Sequence, residues 1–421
     1  MAPDFTPDME QLNKRRIERQ LRRRQRAAKQ RQKRVLYMIL VSLLLVAVGL
    51  GVFFLLRRED KEEPQEQEFV TQSGETASED DTVIHLVAAG DLNINDAVVA
   101  SGGEEYDYTN TFLDIAHLLA AGDITVMNFE GNLCGSPYGS ISHSAPQTLA
   151  DALARCGVDL VQLANSYAIN QGISGLQTTI RSVKDAGMEP LGVYADERAY
   201  KAGKGFTIRE VEGVRIAFVA FTKGMDGMTL PQGSEHCVNV LYSDYDSTYQ
   251  DLNTQQIHKV LDAVEEEKPD LTVAMLHWGS EFNDTVSESQ ENLVSLLQER
   301  GVDAIIGTHP HYVQQMTYDP ETGNFVAYSL GDLLSDGVQA GTEYSVILDL
   351  EITKSGRNTK ITGYTYTPIF TVAERGTPVR SVRIAEAMSA YESNFVKRVR
   401  AATYEDMAYA LTRIEDRIKG E

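Results

Sequence analysis

The chain has 421 residues, of which 42% are hydrophobic, and its formal net charge at pH 7 is −22. This length and composition are enough to bury a large hydrophobic core, which excludes disorder along the whole chain. The excess of carboxylates repels phosphate groups, so the composition argues against nucleic acid as a partner of the main domain.

The N-terminal region separates into a basic tip and an apolar stretch. Residues 1–34 hold twelve Lys and Arg against four Asp and Glu, a local charge of +8, which leaves −30 for the remainder. Residues 35–56 carry no charged side chain. As an α-helix this stretch would be about 33 Å long, which matches a hydrocarbon core of about 30 Å. We therefore predict one transmembrane helix at 35–56.

The alternative to this membrane anchor is a cleaved signal peptide. Such a peptide has an apolar region of about 7 to 15 residues followed by a small-residue cleavage site, whereas this stretch ends Phe53-Phe54-Leu55-Leu56. The positive-inside rule places the basic tip in the cytoplasm and the main domain outside the cell. The tip is expected to contact anionic lipid headgroups, although basic runs also bind nucleic acid in other proteins.

The rest of the chain predicts an α/β protein. Residues 57–82 are acidic and polar and predict a disordered linker. Beyond them, short apolar runs alternate with amphipathic stretches, which predicts βα units on a largely parallel sheet. The predicted strands are 124–128, 159–164, 189–193, 271–276 and 303–307, and the predicted helices are 109–121, 145–156, 173–186, 254–267 and 287–300. Hairpins are predicted at 206–221 and 344–367. We place the main domain at 83–375 and a C-terminal helical extension at 376–421.

Three cysteines, Cys134, Cys156 and Cys237, form a sparse set without CxxC spacing. Neither a disulfide framework nor a zinc-thiolate site is indicated by such a set. One bridge is compatible with the sequence, and the ordinary expectation for Cys156 is a small core residue.

Polar side chains directly follow five of the apolar runs. Ligands of open α/β sheets gather outside the carboxyl ends of the strands, so these side chains are the candidates for a site. They are Asp91, Glu130, Asn165, His277 and the pair His309 and His311. Because Pro310 restricts the residue before it, we expect His309 to be extended and His311 to follow around a bend.

Each candidate alone also has an ordinary structural explanation. A loop histidine commonly bonds to backbone, Asp91 can cap the segment after it, and Glu130 can be a solvated turn residue. Together, two carboxylates and three imidazoles form a mixed oxygen and nitrogen ligand set, which suits Mn, Fe or Zn better than Ca. Such a set can hold two divalent ions, which activate water and stabilise oxygens in a displacement at phosphorus or a carbonyl.

The motifs around these residues resemble those of the poly-gamma-glutamate capsule-synthesis family CapA over roughly residues 83–372. The matching motifs are Gly90-Asp91, Asn128-Phe129-Glu130-Gly131, His277-Trp278-Gly279-Ser280-Glu281, Gly307-Thr308-His309-Pro310-His311-Tyr312-Val313-Gln314 and Tyr328-Ser329-Leu330-Gly331-Asp332. The resemblance implies a four-layer α/β/β/α sandwich of metallophosphoesterase type after an N-terminal anchor. It also implies a role in making or anchoring poly-gamma-glutamate or a related surface polymer, with an extracellular anionic polymer or other polymer-synthesis membrane proteins as partners.

One motif departs from the family pattern. The family reads Leu-Ala-Asn-Asn-His, two residues and then Asp, whereas this chain has Ser166 for the ligand Asn, Tyr167 for the catalytic His and Asn170 for the Asp. The resemblance therefore assigns Asn165 and Tyr167 to the catalytic positions and Ser166 to the metal. The family's Gly-Asn-Phe is also altered, to Gly331-Asp332-Leu333.

Loss of a general acid typically lowers a rate by about 10² to 10⁴. Three hypotheses therefore stay open. The first is a metal-dependent hydrolase or transferase with Asp91, Glu130, His277, His309 and His311 as ligands. The second is a catalytically degenerate relative that binds polymer or serves in its assembly. The third is a surface domain whose strand-end histidines are ordinary loop residues.

Overall fold

The computed structural model describes residues 81–393 and 398–420. The predicted basic tip, the predicted span at 35–56 and all but the last two residues of the predicted linker lie outside these residues. Within the described ranges, no helix is both long enough and apolar enough to cross a membrane.

Over the described residues, the first sheet has eight strands. They are β1 (Thr82–Asn93), β2 (Ile124–Glu130), β3 (Leu160–Gln162), β4 (Glu189–Leu191), β11 (Asp332–Leu334), β12 (Tyr344–Ser355), β13 (Asn358–Val372) and β14 (Arg380–Arg383). Their order is β14-β13-β12-β1-β2-β3-β4, and β11 pairs in parallel with the end of β1. Strands β1 to β4 are parallel, as the βα pattern predicts, whereas β12 to β14 are antiparallel.

The second sheet has six strands in the described part of the chain. They are β5 (Phe206–Val211), β6 (Val214–Thr222), β7 (Leu271–His277), β8 (Ala304–Thr308), β9 (Met316–Tyr318) and β10 (Phe325–Ala327). Their order is β5-β6-β7-β8-β10-β9, and β6, β7, β8 and β10 run parallel. Both predicted hairpins are present, as β5 with β6 and as β12 with β13.

The described residues form ten helices, most of which cover the outer faces of the two sheets. They are α1 (Asp96–Ala100), α2 (Thr109–Phe112), α3 (Ala116–Leu119), α4 (Gln147–Arg155), α5 (Gly172–Asp185), α6 (Glu197–Gly203), α7 (Thr254–Glu267), α8 (Glu288–Glu299), α9 (Ile384–Glu392) and α10 (Ala401–Lys419). Side chains of α1 to α5 pack on the first sheet and those of α7 and α8 on the second, while apolar residues of both sheets meet in a central core. This is the predicted four-layer α/β/β/α sandwich.

Alternation along β1 shows how the layers arise. Ile84, Leu86 and Ala88 point into the core between the sheets, and the intervening Val87 and Ala89 point to the outer helices. Because neighbouring side chains of a strand face opposite sides, a strand segment buried on both faces reads as a continuous apolar run, as residues 86–89 do here. The continuous apolar run at the start of the domain is therefore a central strand.

Two predicted segments differ from the observed elements. The predicted helix 109–121 is broken into α2 and α3, and the buried Ile115, with φ −119°, is the residue before α3. In the predicted C-terminal extension, α10 packs Met407, Ala410 and Ile414 into the core between the sheets. The three cysteines are all free, so the bridge left open by the sequence does not form.

Candidate metal centre

The candidate side chains meet at one edge of the sandwich because the parallel strands of both sheets end there. Asp91 and Glu130 lie on β1 and β2, and His277 ends β7. His309 and His311 follow β8 directly, and Asp332 opens β11. All six side chains are buried, with at most 6% of any residue exposed. We call these six residues the strand-end cluster.

Asp91 is held from two sides. Its Oδ1 accepts a hydrogen bond from Asn128 Nδ2 at 2.5 Å, and its Oδ2 accepts one from the backbone N–H of His309 at 2.9 Å. The second bond joins β1 of the first sheet to the loop after β8 of the second. Asp91 therefore fixes the loop that carries both His309 and His311.

That loop bends more sharply than the sequence predicts. His309 has φ 92° and His311 has φ 59°, so the expectation of an extended His309 is wrong. Positive φ is uncommon outside glycine and is strained, and such residues cluster at functional sites. The bond from the N–H of His309 to Asp91 stabilises this conformation.

Glu130 and His311 lie near the middle of the cluster. Glu130 Oε2 is 3.7 Å from His311 Nε2, and Glu130 Oε1 is 3.3 Å from His277 Nε2. His311 Nδ1 lies 2.8 Å from Asp332 Oδ1 and 3.5 Å from Asp91 Oδ2. One imidazole thus touches three carboxylates.

Two groups of three residues have the spacing that a cation needs. Potential ligand atoms of Glu130, His309 and His311 all lie within 4.8 Å of one another, and so do those of Asp91, His311 and Asp332. Two buried atoms in the cluster, Glu130 Oε2 and His309 Nδ1, have no hydrogen-bond partner. Buried polar atoms without partners are costly, and a cation between them would satisfy both. The residues present therefore fit a divalent metal.

Burial destabilises the charged forms of Asp91, Glu130, His277 and His309, whereas nearby carboxylates stabilise the charged form of His311. Burial, together with neighbouring carboxylates, raises the pKa of Asp91 and of Glu130 to about 7 each. Burial lowers the pKa of His277 to about 3, and it also lowers that of His309. Burial lowers the pKa of His311 too, but the charges of Asp332 and Glu130 raise it by more, to well above the usual value. A divalent cation would relieve the repulsion among the carboxylates.

His277 and Ser166 stand beside these groups and contact each other. His277 Nε2 is 2.9 Å from Ser166 Oγ, and His277 Nδ1 is 3.1 Å from Thr308 Oγ1. Neither residue belongs to a group of three potential ligands. Ser166 therefore contacts His277 directly, and a side-chain hydrogen bond from Ser166 also acts on Glu130.

The two candidate catalytic residues have different surroundings. Asn165 is buried and donates from Nδ2 to Asn128 Oδ1 at 3.1 Å and to the Phe129 carbonyl at 2.7 Å. Tyr167 is half-buried and stacks on His143 with ring centroids 3.7 Å apart. Burial, aided by the charge of Glu130, raises the pKa of the Tyr167 phenol above its usual range. Tyr167 is thus poorly suited to proton transfer near neutral pH.

Sequence reasoning missed two residues of the cluster region, Asp332 and Asn128. Asp332 follows the apolar run at Phe325–Ala327 by a few residues, and β11 places it opposite Asp91. The strand-end position that predicts the other site residues also predicts Asp332, which the sequence analysis named only as part of the family motifs. Asn128 is buried on β2, and its amide orients Asp91.

The fold and the cluster define a class: an α/β sandwich whose strand ends form a buried carboxylate and imidazole site of metal-binding type. Residues 85–337 match the sequence profile described as "Bacterial capsule synthesis protein PGA_cap". The chain belongs to that family, in agreement with the CapA resemblance.

Two curated relatives bear the family's name. The chain is 28% identical over 220 residues to "Capsule biosynthesis protein CapA" of Bacillus anthracis, which is 52% of this chain and 50% of that protein. It is 24% identical over 193 residues to "PGA biosynthesis protein CapA" of Bacillus subtilis (strain 168), 46% of this chain and 47% of that protein. The matches thus span about half the length of each relative.

Solved structures match this chain at low similarity. The calcineurin-like phosphoesterase YfkN from Bacillus subtilis has a TM-score of 0.44 at 14% identity, covering 79% of this chain and 99% of that chain. The 5'-nucleotidase from Candida albicans SC5314 has a TM-score of 0.41 at 12% identity, covering 79% and 57%. Similarity at this level carries no functional conclusion.

Proposed function

We propose that the chain is a membrane-anchored, extracytoplasmic factor of capsule synthesis that acts on poly-gamma-glutamate or a related surface polymer as a metal-dependent hydrolase or transferase. The observation that carries the proposal is the pair of buried, unpartnered ligand atoms, Glu130 Oε2 and His309 Nδ1, in the middle of the strand-end cluster. Membership of the capsule synthesis family and the names of the curated relatives support the polymer.

The residues proposed to hold the metal are Asp91, Glu130, His277, His309 and His311, with Asp332 added by the structure and Ser166 beside His277. Manganese, iron or zinc is the proposed occupant, because the donors mix carboxylate oxygen with imidazole nitrogen. When bound, such an ion acidifies water and offsets the charge that develops on oxygen during a displacement.

The chain's own groups prepare the site for that chemistry. The amide of Asn128 and the N–H of His309 orient Asp91, and Asp332 orients His311 through Nδ1. Asn165 in turn donates from Nδ2 to the side-chain Oδ1 of Asn128 and orients that amide. Side chains fixed in this way lose little freedom when a ligand binds. The low exposure of the cluster keeps bulk water away and strengthens its electrostatics.

Turnover of a gamma-linked glutamate polymer by the manganese-loaded chain tests this proposal. We expect Glu130→Gln to lower the rate by at least about 10²-fold, because it removes a ligand charge at the centre. The matched control is Glu210→Gln, an exposed glutamate on β5. A manganese-loaded wild-type chain that neither cleaves nor transfers the polymer would refute the enzymatic part of the proposal.

The second candidate is a degenerate relative that binds polymer or assists its assembly. Ser166 and Tyr167 favour it, because Ser166 contacts His277 and the Tyr167 phenol is a poor proton donor. The triple variant Ser166→Asn/Tyr167→His/Asn170→Asp separates the two. Activity that appears only in the triple variant supports the degenerate reading, and activity already present in the wild-type chain excludes it.

Membrane attachment is proposed from the apolar stretch 35–56 and the charge asymmetry around it. Deletion of residues 1–56 should move the chain from the membrane fraction to the soluble fraction after cell lysis. A deletion variant that still sediments with membranes would contradict an anchor in that stretch.

A further inference from the structure

An unpaired lysine stands at the same edge of the sandwich as the strand-end cluster. Lys223 directly follows β6, and its backbone N–H donates to the carbonyl of His277 at 2.7 Å. Its positive charge acts on both His277 and His309. The side chain is half-buried, so it is part of the edge and not a freely solvated surface group.

The ammonium of Lys223 is held by neutral partners. Nζ donates to the carbonyl of Gly279 at 2.7 Å and lies 4.7 Å from the ring centroid of Tyr249. It makes no ion pair within the described residues, and the charge of Glu281 acts on it from beyond ion-pair distance. Most buried charges are paired, so a half-buried ammonium held only by a carbonyl and a ring is suited to an external anion.

Glycine at position 279 allows this arrangement. Gly279 has φ 72°, a conformation that side chains with a Cβ rarely adopt, and a Cβ there would meet Gln290 Nε2 at 3.0 Å. The turn after His277 therefore presents a backbone carbonyl to Lys223. The same short segment thus carries a candidate metal ligand and orients the lysine.

We propose that Lys223 binds an oxyanion of the substrate next to the metal centre. This inference rests on the proposed function and names its substrate class: a polymer that bears carboxylate or phosphoryl groups close to the reacting bond. Two divalent cations would outweigh the three carboxylates Asp91, Glu130 and Asp332, and Lys223 adds a further positive charge. An anion is the complementary ligand for such an edge, although the domain as a whole is acidic.

Calorimetric titration of the full-length, manganese-loaded chain tests the proposal with three probes: inorganic phosphate, gamma-linked triglutamate and the same peptide with its carboxylates amidated. We expect the wild-type chain to bind phosphate or the charged peptide and to bind the amidated peptide at least about 10-fold more weakly. Lys223→Met should weaken binding of the anionic probe by about 10-fold to 100-fold and reduce the preference for the charged peptide, because a charge-assisted hydrogen bond is lost. Lys223→Arg should retain most of the wild-type affinity for the anionic probe.

The control is Lys201→Met, an exposed lysine on α6 that pairs with Glu197. If Lys223→Met does not fold, Lys223→Gln replaces it. Weakened binding of the peptide alone identifies a carboxylate, and weakened binding of phosphate as well identifies a general oxyanion site. Equal binding of both anions by the wild-type chain and by the folded Lys223 variant would overturn the proposal. Calorimetry measures binding without turnover. A chain whose anion binding depends on Lys223 but which does not turn over the polymer would therefore refute only the proposed enzymatic function.

Discussion

The ring nitrogen Nδ1 of His311 lies 2.8 Å from Oδ1 of Asp332, and β11 sets Asp332 in register with Asp91 of β1. A carboxylate bonded to an imidazole fixes the ring and its tautomer and raises its basicity as a ligand. Asp332 is also close enough to join Asp91 and His311 around a cation. Asp332, which stands at a position that departs from the family motif, is thus a direct part of the candidate metal centre.

Asp332→Asn should weaken metal binding by about 10-fold to 100-fold, because the amide loses the charge that orients and activates His311. The measurement is the manganese dissociation constant of the purified chain. Asp336→Asn, a few residues along the same segment, is the control. Unchanged affinity in Asp332→Asn would show that the contact with His311 has no part in metal binding.

Tyr167→Phe should change polymer turnover by less than about 3-fold, because the raised pKa of the phenol makes it a poor proton donor at neutral pH. Tyr167→Ala should instead lower the free energy of unfolding by about 1–3 kcal/mol, since it removes the stacking on His143. Denaturant unfolding and turnover of both variants give the comparison. A large loss of rate in Tyr167→Phe alone would establish a chemical role for the hydroxyl.

Arg417 of α10 joins the C-terminal helix to the flank of the metal centre. It is 7% exposed, its guanidinium lies 4.6 Å from the Tyr312 ring centroid, and its Nη2 is 3.2 Å from Asp284 Oδ2. Tyr312 follows His311, and Asp284 lies in the loop whose Phe282 ring is 5.6 Å from the His311 ring. Arg417→Met is therefore expected to weaken manganese binding by about 10-fold.

A matched variant separates this effect from a general loss of stability. Met407→Ala, on the same helix, creates a cavity in the core between the sheets and should cost about 2–5 kcal/mol of unfolding free energy. Its affinity for manganese should stay close to the wild-type value. Equal losses of affinity in the two variants would mean that Arg417 acts on the centre only through helix stability.

The opposite region of the sandwich contains an ion pair between the sheets. Lys354 Nζ of β12 lies 2.7 Å from Oδ2 of Asp270, which precedes β7. Burial raises the pKa of Asp270, but the bonds and charges of Lys354 and Arg215 lower it by more, so the net pKa is below its usual value. Stability from this group is present above the unfolded pKa of about 3.9 and is lost as pH falls through the folded pKa.

Lys354→Met should therefore lower the unfolding free energy by about 1 kcal/mol at pH 7. The difference from wild type should shrink as pH falls from about 4, where the unfolded chain binds the proton, through the lower folded pKa of Asp270. Urea unfolding at several pH values measures this, with the exposed Lys184→Met as control. A difference that persists undiminished at pH 3 would rule out the ion pair as its source.

Local pattern was enough to predict most of the fold. The apolar runs that became β2, β7 and β8 and the periodicity of α7 and α8 all carry signals within a few residues. Asp91, Glu130, His309 and His311 were predicted to meet because parallel strands end at one edge, and the structure brings them together.

The rest depended on contacts between distant segments. Nothing near Tyr167 in the sequence indicates the stacking on His143, and nothing near Tyr312 indicates Arg417, more than a hundred residues away. The bend at His309 was misjudged because its cause is a hydrogen bond to Asp91 on the other sheet. The break between α2 and α3 lies next to the buried Ile115, and no proline or glycine in 109–121 predicts it.

Elemental analysis of the purified chain tests most directly the claim that the strand-end cluster binds a metal. The chain is first equilibrated with manganese, iron and zinc, and unbound metal is then removed. The account predicts about one or two divalent ions per chain, with loss of bound metal in the double variant Glu130→Gln/His309→Ala and full retention in His117→Ala, an exposed histidine. A folded wild-type chain that retains no metal, or a double variant that retains as much as wild type, would contradict it.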